Sequence, residues 1–412
     1  MNEYSNEKTI PLVSIIIPVY NTASWLRECL DSVINQTLRN IEIICINDGS
    51  VDDSVNILRK YAERDSRIHI IEQENKGLSE SRNAGVRMAA GKYLSFVDSD
   101  DVLELTALEL CSGCMEAQKL DYLCFNASAF GEDAEFAKLA EIKNRAYFRR
   151  ALNEDRIYEG KTLFSELKEE GRYTAPVWSC MISRALFVDC GCWFHPEILH
   201  EDEPWTFKVL MNAARCGCLN SCLYHYRIRS GSITQQDESF SRVYGLFIGA
   251  LDIQEILLNR PDLMQERKMR SLILDHADKL IKKASQNYSL CSASEQQKRE
   301  SLNAEERILF EQAVVYPASL LHIIEQKTAG NDRMQNSIDK LSERIDSLEA
   351  EGEKNKLEIR DLSSQNTSLK QQNKELYIKY KRLCSKLAKI EKSKSYRISQ
   401  KISRTCRKLK LY

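Results

Sequence analysis

The sequence has no apolar run near the roughly 18 uninterrupted residues that a membrane-spanning helix needs. It also has no excess of charge: 59 Lys and Arg stand against 60 Asp and Glu, a net −1. That balance excludes a global field drawing nucleic acid or a membrane to the whole chain. The opening Met1-Asn2-Glu3-Tyr4-Ser5-Asn6-Glu7-Lys8 is polar and lacks the apolar core of a signal peptide, so a cytoplasmic location is expected. Cysteine, by contrast, is plentiful at 14 residues. Without an export signal these are expected as reduced thiols. Cys180, Cys190, Cys192, Cys216, Cys218 and Cys222 crowd together with His195 and His200 nearby. No C-x₂-C pair falls inside that cluster, and Cys111 and Cys114 stand alone, so small buried hydrophobes are expected rather than zinc ligands.

At 412 residues the chain exceeds one typical domain. Val13-Ser14-Ile15-Ile16-Ile17-Pro18 and Ile41-Glu42-Ile43-Ile44-Cys45-Ile46 are short, β-branched and nearly continuously apolar, as strands of a parallel sheet covered on both faces are. Trp25, Leu26, Leu30, Val33 and Ile34 recur between them at helical spacing. A turn at Asn47-Asp48-Gly49-Ser50, a helix over 53–63, a strand at 68–71 and a break at Asn75-Lys76-Gly77 follow. A helix over 79–90 is expected to close on Gly91 as its C′ residue, and a strand at 93–97 comes next. This alternation predicts an α/β domain with its ligand at the carboxyl ends of the strands. Further on, 121–126 and 219–228 read as strands, the charged stretch 131–171 as an insertion or loop, and 243–324 as helical. Residues 328–332 are expected to form a hinge.

Beyond the hinge, Met334, Leu341, Leu348, Asn355, Leu362, Leu369, Leu376, Leu383 and Ile390 hold one heptad position, and Ile338, Ile345, Gly352, Ile359, Asn366, Asn373, Tyr380 and Leu387 the other. Leu at d with Ile and Asn at a predicts a parallel two-stranded coiled coil, and so a homodimer. The final 24 residues carry nine basic side chains against Glu391, about +8, with Ile398, Ile402, Cys406 and Leu409 near one helical face. Such a terminus is expected to rest peripherally on an anionic membrane surface. The expected organisation is a tail over 1–10, an α/β domain over 11–235, a helical region over 236–328, a coiled coil over 331–391 and a basic amphipathic tail over 392–412.

The run Tyr93-Leu94-Ser95-Phe96-Val97 stops abruptly on Asp98-Ser99-Asp100-Asp101, with Glu104 close behind. So much negative charge at the end of a buried element is costly unless a cation sits there. An Asp-x-Asp turn offers hard oxygen ligands with positions left open, which suits Mg²⁺ or Mn²⁺ bridging to a diphosphate. A solvated acidic turn is the plainer reading of Asp98 and Asp100. Asp101 is expected to cap the next helix, with Glu104 completing a capping box.

Four motifs follow in order: Val13-Ser14-Ile15-Ile16-Ile17-Pro18-Val19-Tyr20-Asn21, Asn47-Asp48-Gly49-Ser50-Val51-Asp52-Asp53-Ser54, Asn75-Lys76-Gly77-Leu78-Ser79-Glu80-Ser81-Arg82-Asn83-Ala84-Gly85 and Phe96-Val97-Asp98-Ser99-Asp100-Asp101. Over about residues 11–235 this succession resembles the family 2 glycosyltransferases, inverting enzymes of GT-A fold that use nucleotide sugars. The resemblance implies a GT-A mixed sheet flanked by helices, ahead of the helical region and coiled coil. It also implies transfer from a nucleotide-diphosphate sugar, taken as a UDP-sugar, to a glycan or lipid-linked acceptor in bacterial cell-surface polysaccharide synthesis. Donor-binding roles are implied for Pro18, for Tyr20 with its aromatic face, and for Asp48 as acceptor of the uracil N3–H. Arg82 would neutralise phosphate or the aspartates, Asp98 would touch the ribose or donor sugar, and Asp100 would ligate the metal together with Asp98. An Asx-turn role for Asp48 and a surface ion pair for Arg82 are the structural alternatives.

An inverting transfer needs a base for the acceptor hydroxyl. His200-Glu201-Asp202-Glu203-Pro204-Trp205 resembles the Glu-Asp motif that holds this base in the family, with Asp202 assigned by position, Glu201 as the alternative and Glu203 as a helix cap. Trp178 either stacks on an acceptor sugar or fills the core. Many family members have a Lys shortly after the equivalent Trp, whereas Ser179-Cys180-Met181 follows here. In the basic loop His225-Tyr226-Arg227-Ile228-Arg229-Ser230-Gly231-Ser232, Arg229 offers a counter-charge to the diphosphate. Two other classes compete. A catalytically silent nucleotide-sugar-binding scaffold acting through the coiled coil is opposed by the intact Asp98, Asp100 and Asp202. A sugar nucleotidyltransferase is opposed by Pro18-Val19-Tyr20-Asn21, which stands where a Gly-rich, Arg-containing loop belongs.

Overall fold

The structure, a computed structural model, describes residues 10–146, 150–232 and 238–315, with Ser364, Gln365, Thr367 and Ser368. Its first compact unit ends at Gln296. The alternating half gives β1 (Val13–Val19), α1 (Ala23–Ile34), β2 (Ile41–Asp48), α2 (Ser54–Ala62), β3 (Ile68–Gln73), α3 (Gly77–Met88) and β4 (Tyr93–Phe96). The less regular half gives β5 (Val102–Leu103), α4 (Ala107–Gln118), β6 (Tyr122–Gly131), α5 (Ala134–Ala146), α6 (Gly160–Glu169), β7 (Cys180–Ser183), α7 (Arg184–Asp189), α8 (Asp202–Asn212) and β8 (Cys216–Ile228). Then come α9 (Phe240–Leu258), α10 (Pro261–Gln265) and α11 (Arg267–Leu290), all within the first unit.

The strands form one eight-stranded sheet in the order β3-β2-β1-β4-β7-β6-β8-β5. The first four are parallel, while β7 runs antiparallel to β4 and β6, and β5 antiparallel to β8. Every residue of β1 and β2 is buried, which is why their sequences lack the two-residue alternation of a half-exposed strand. From β1 the chain builds outward to β2 and β3 on one side and returns to β4 on the other. Such a switch in strand order opens a crevice at the carboxyl ends.

Pro18 marks where that crevice begins. The β1–β4 pairing ends at Ile16 and Phe96, and the Val97 amide still reaches the Ile16 carbonyl at 3.0 Å. Backbone groups two residues apart on a strand face the same neighbour, so the Pro18 nitrogen points to the edge that β4 has already left. The missing N–H therefore costs no ladder bond. Gly85 brings α3 onto the sheet, since a Cβ there would lie 2.5 Å from Ile16 Cγ2.

Several expectations are corrected. Gly91 is not a left-handed cap: α3 ends on the extended Ala89, and a Cβ at Gly91 would lie 2.6 Å from the Ser14 amide nitrogen. Close approach to β1 explains that glycine. The stretch 131–171 is not a loop, because α5 and α6 lie in it. Asn144 fastens α5 to β6, accepting from the Ala129 amide at 2.6 Å and donating to the Ala129 carbonyl at 2.9 Å. No helix follows Asp101 directly, since β5 does, and α4 begins at Ala107 after Thr106.

Among the described residues no helix is long and apolar enough to cross a membrane. Cys180, Cys192, Cys216 and Cys218 are buried free thiols. The heptad segment, apart from four helical residues, and the basic tail lie outside the described residues.

Candidate active site

The α3 motif Arg82-Asn83-Ala84-Gly85 spends each residue differently. While Gly85 meets the sheet, Asn83 pairs through both amide atoms with the Phe194 backbone, at 3.0 and 2.9 Å. Arg82 is only 3% exposed. Its Nη1 donates to Glu201 Oε1 at 2.5 Å and its Nη2 to Asp98 Oδ1 at 2.9 Å, while the guanidinium carbon lies 5.5 Å from the Phe194 ring centroid. Burial favours the neutral form, but Asp98 and Glu201 outweigh it and hold the guanidinium above its ordinary pKa. The surface-pair alternative is thus overturned. Arg82 is a buried bridge between two acidic motifs.

The acidic turn after β4 is shaped from β8. The Tyr224 hydroxyl donates to Asp101 Oδ2 at 2.7 Å and accepts from the Asp98 amide at 3.1 Å. The Arg227 amide donates to Asp101 Oδ1 at 2.7 Å. Asp101 is therefore the brace of this turn rather than a helix cap. Burial, then Asp100 and Asp98, push its carboxyl well above the usual range. Glu104 pairs with His225 at 3.0 Å instead of closing a capping box. Sequence reasoning missed Tyr224, which is fully buried in β8 beside the likewise buried Leu223. Trp178 stacks on it, with ring centroids 4.4 Å apart and planes 11° off parallel, and also covers Tyr226 at 5.8 Å. At 7% exposure Trp178 supports the floor of the turn, so the structure favours the core role over acceptor stacking.

Asp100 meets Arg229 through Nε and Nη2, both 2.8 Å from Oδ2. Its carboxyl is raised, chiefly by burial and by Asp98, against the pull of Arg229. Arg229 in turn lies 3.8 Å from the Trp25 ring centroid, and Trp25 bonds Glu132. Tyr20 stands 50% exposed just past β1 with its ring available. Asp48 is different. Its carboxylate accepts from Gln73 Nε2 at 2.7 Å, the Lys76 amide at 2.8 Å and the Gly77 amide at 2.9 Å. Of the roughly four acceptor positions of a carboxylate, that leaves one for any ligand. Its visible work is to hold the N-terminus of α3.

The second acidic motif begins with strain. His200 adopts a left-handed φ of 65° two residues before α8, a conformation that costs a non-glycine residue and tends to persist at functional sites. Burial, with Lys283 and Arg242 nearby, lowers its pKa to about 4. Glu201 is committed to Arg82. Asp202 has no ion pair among the described residues, and its Oδ1 accepts from the Glu203 amide at 3.0 Å. Burial, then Glu201 and Glu203, push the Asp202 carboxyl well above its usual range. The structure thus gathers Asp98, Asp100, Arg82, Glu201 and Arg229 through direct contacts, with Asp202 next in chain to Glu201.

Residues 14–166 match the family described as Glycosyl transferase family 2. Over those residues the chain is similar to glycosyl transferase family 2. It is 36% identical over 229 residues to the uncharacterized glycosyltransferase EpsJ of Bacillus subtilis, a match covering 55% of this chain and 64% of that protein. Glycosyltransferase GlyA of Streptococcus pneumoniae is 36% identical over 223 residues, covering 54% of this chain and 31% of that one. The chain thus spans less than two thirds of the length of these curated relatives. Among solved structures, residues 1–349 of TarS from S. aureus superpose with a TM-score of 0.51 at 20% identity, over 73% of this chain and 80% of that one. TarS has also been crystallised with UDP-GlcNAc. At that identity the likeness is one of fold, and the mixed sheet with flanking helices fits GT-A.

A divalent cation is compatible with the acidic turn. Among the described residues no three His, Cys, Asp or Glu side chains converge to cage a metal. Asp98 and Asp100 instead present two carboxylates on one turn, each with one oxygen on an arginine. That donor set suits an ion shared with a diphosphate and water rather than enclosed by protein.

Proposed function

We propose that this protein is an inverting glycosyltransferase that moves a sugar from a UDP-sugar to a hydroxyl of a glycan or lipid-linked acceptor in cell-surface polysaccharide synthesis. One observation carries the reading: Arg82 joins the Asp98–Asp100 turn to Glu201, the neighbour of Asp202, so that donor turn and base motif form one bonded unit. The family 2 match and the relatives named glycosyltransferases support it, and the UDP-GlcNAc complex of the similarly folded TarS supports a uridine donor.

In this reading Tyr20 offers its ring to the base, and Arg229 and Arg82 set positive charge beside the diphosphate. Asp98 and Asp100 would hold Mg²⁺ or Mn²⁺, which when bound supplies Lewis-acid stabilisation of the departing diphosphate. Asp202 takes the proton of the acceptor hydroxyl as its oxygen attacks the anomeric carbon. Glu201 is spent on Arg82, so Asp202 is the carboxylate left for that task, and its raised pKa makes it a stronger base once ionised. The heptads at 331–391 and the basic tail make the protein a homodimer, cytoplasmic and peripheral on the inner face of the membrane.

The test is UDP release from a panel of UDP-sugars with Mg²⁺ or Mn²⁺, with and without acceptor glycans. Release from at least one donor, abolished by EDTA and by Asp100→Ala, is the expected result. Full activity in EDTA or in Asp100→Ala overturns the metal role, and release from no donor overturns the whole reading.

A further inference from the structure

Beginning at Glu203, next to the candidate base in the chain, three polar side chains from three helices line up in an otherwise aromatic environment. Lys168 of α6 donates from Nζ to His276 Nδ1 of α11 at 3.1 Å. An ammonium has protons only to give, so Nδ1 is bare and the ring proton sits on Nε2. That Nε2 lies 3.5 Å from Glu203 Oε2, in the first turn of α8. Both atoms are sealed from solvent, and neither has a hydrogen-bond partner among the described residues, so they face each other across a 3.5 Å gap with their polar capacity unspent. His276 is 3% exposed. Phe164, Tyr173 and Phe207 wall it in, with ring centroids 5.9, 5.0 and 6.3 Å away. A phenyl ring would fill this nest at lower desolvation cost, so packing alone does not account for an imidazole here.

We propose that Lys168 and His276 are positioning residues for the base: the Lys168–His276–Glu203 line pins the first turn of α8 and keeps negative charge on Glu203 beside Asp202. The proposal rests on reading Asp202 as the base. Glu203 follows Asp202 in the chain and gives its amide to Asp202 Oδ1, so a shift of one moves the other. Burial, with Lys168 beside the ring, holds the His276 pKa down at about 3, which keeps it a neutral link at any working pH. The charged groups facing Asp202 are Glu201 and Glu203 on its own helix and Arg82 from α3. Burial pushes the Glu203 carboxyl up, and the charged groups facing it, Lys168 from α6 and Lys283 from α11, pull against that shift. Lys168 and His276 also feel Asp275 and Lys279 of α11. Breaking the line lets Glu203 take up a proton or turn away. Asp202 then loses a like-charged neighbour and becomes a weaker base. The rate falls, and its acid limb moves to lower pH.

The experiment compares His276→Phe, which fills the nest without polar atoms, with His276→Gln, whose amide can accept from Lys168 and donate to Glu203. Lys168→Met, Glu203→Gln and Asp202→Asn complete the set. All are made in the full chain and assayed for kcat, donor KM, the kcat–pH profile and folded fraction. His276→Phe and Lys168→Met are expected to lose about tenfold in kcat at unchanged donor KM, with the acid limb displaced downward by about half a pH unit. His276→Gln should recover most of the loss. Should His276→Phe fail to fold, Lys168→Met and Glu203→Gln decide by the same criteria. Variants that lower only thermal stability, with kcat per folded site and the acid limb unmoved, overturn the proposal. Turnover surviving in Asp202→Asn instead overturns the assignment of the base, so the two failures are distinguishable.

Discussion

Glu201 lies 2.5 Å from Nη1 of Arg82, and the other arm of the same guanidinium holds Asp98 at 2.9 Å. A planar fork with fixed donors can hold two carboxylates at a set separation, which a lysine ammonium on a flexible stem cannot. Arg82 therefore works as a spacer between the donor turn and the motif that ends in the base.

Its removal should be costly in two ways. Arg82→Met leaves Glu201 buried and Asp98 half-buried without a counter-charge, and breaking such a pair costs about 3–5 kcal/mol. Chemical denaturation is expected to show a loss at or below the low end of that range, because Asp98 keeps some solvent contact. Arg82→Lys should keep more stability and still lose most of the turnover, since one point charge cannot set the spacing. Wild-type turnover in Arg82→Lys would show that the spacing does not matter.

Asp202→Asn should separate function from stability. The Asn oxygen can still accept the Glu203 amide, yet it takes no proton, so kcat should fall by about 10²–10⁴ while donor affinity holds. The folded-state pKa of Asp202 is raised above its ordinary value. Its contribution to stability is thus fully present below that ordinary value, near 4, and is lost as pH rises through the folded value. Above its ordinary value this buried carboxyl is therefore a net cost to the fold. Asp202→Asn should therefore melt higher than the parent at pH 7, with the gap closing toward pH 4. A lower melting temperature at pH 7 would contradict this.

Tyr224→Phe tests the floor of the donor turn. The ring and its stacking on Trp178 are kept, while the hydroxyl between Asp101 and the Asp98 amide is lost. A buried acceptor left unsatisfied costs about 1–3 kcal/mol. Because the same hydroxyl fixes the Asp98 backbone, metal-dependent UDP affinity should weaken along with stability. Calorimetric titration of UDP with Mn²⁺ checks the second effect, and unchanged affinity would limit Tyr224 to a structural role.

Much of this site was legible because its residue types sit at the ends of apolar runs. Tyr20, Asp48, Asp98 and Asp100 follow strands whose sequences announce burial on both faces. What failed were partners set by the fold. Asp101 and Glu104 carry the spacing of a capping box, but pairing of β5 with β8 overrode that local signal and turned them toward Tyr224 and His225. Trp178 offered no local clue to its stacking on Tyr224. Lys168 and His276 are far apart in sequence, and only the packing of α6 and α11 behind α8 brings them to Glu203.

The last prediction concerns the region after the hinge. The heptads between Met334 and Ile390 give an apolar seam that an isolated helix would expose to water, so the full chain should be a dimer. Pairing sets two basic tails of about +8 each side by side, and two linked anchors hold a surface far more strongly than one because the second binds at a high effective concentration. Truncation after Gly330 keeps the whole first compact unit, which ends at Gln296. The truncated protein should be monomeric, should still release UDP from its donor, and should no longer sediment with anionic liposomes. Binding of the full chain should weaken as salt rises, since the tails act through charge screened within about 10 Å at 0.1 M. Light scattering on both forms and sedimentation at low and high salt give the answer. A monomeric full chain would defeat the coiled coil, and liposome binding that survives truncation would move the membrane contact to another part of the protein.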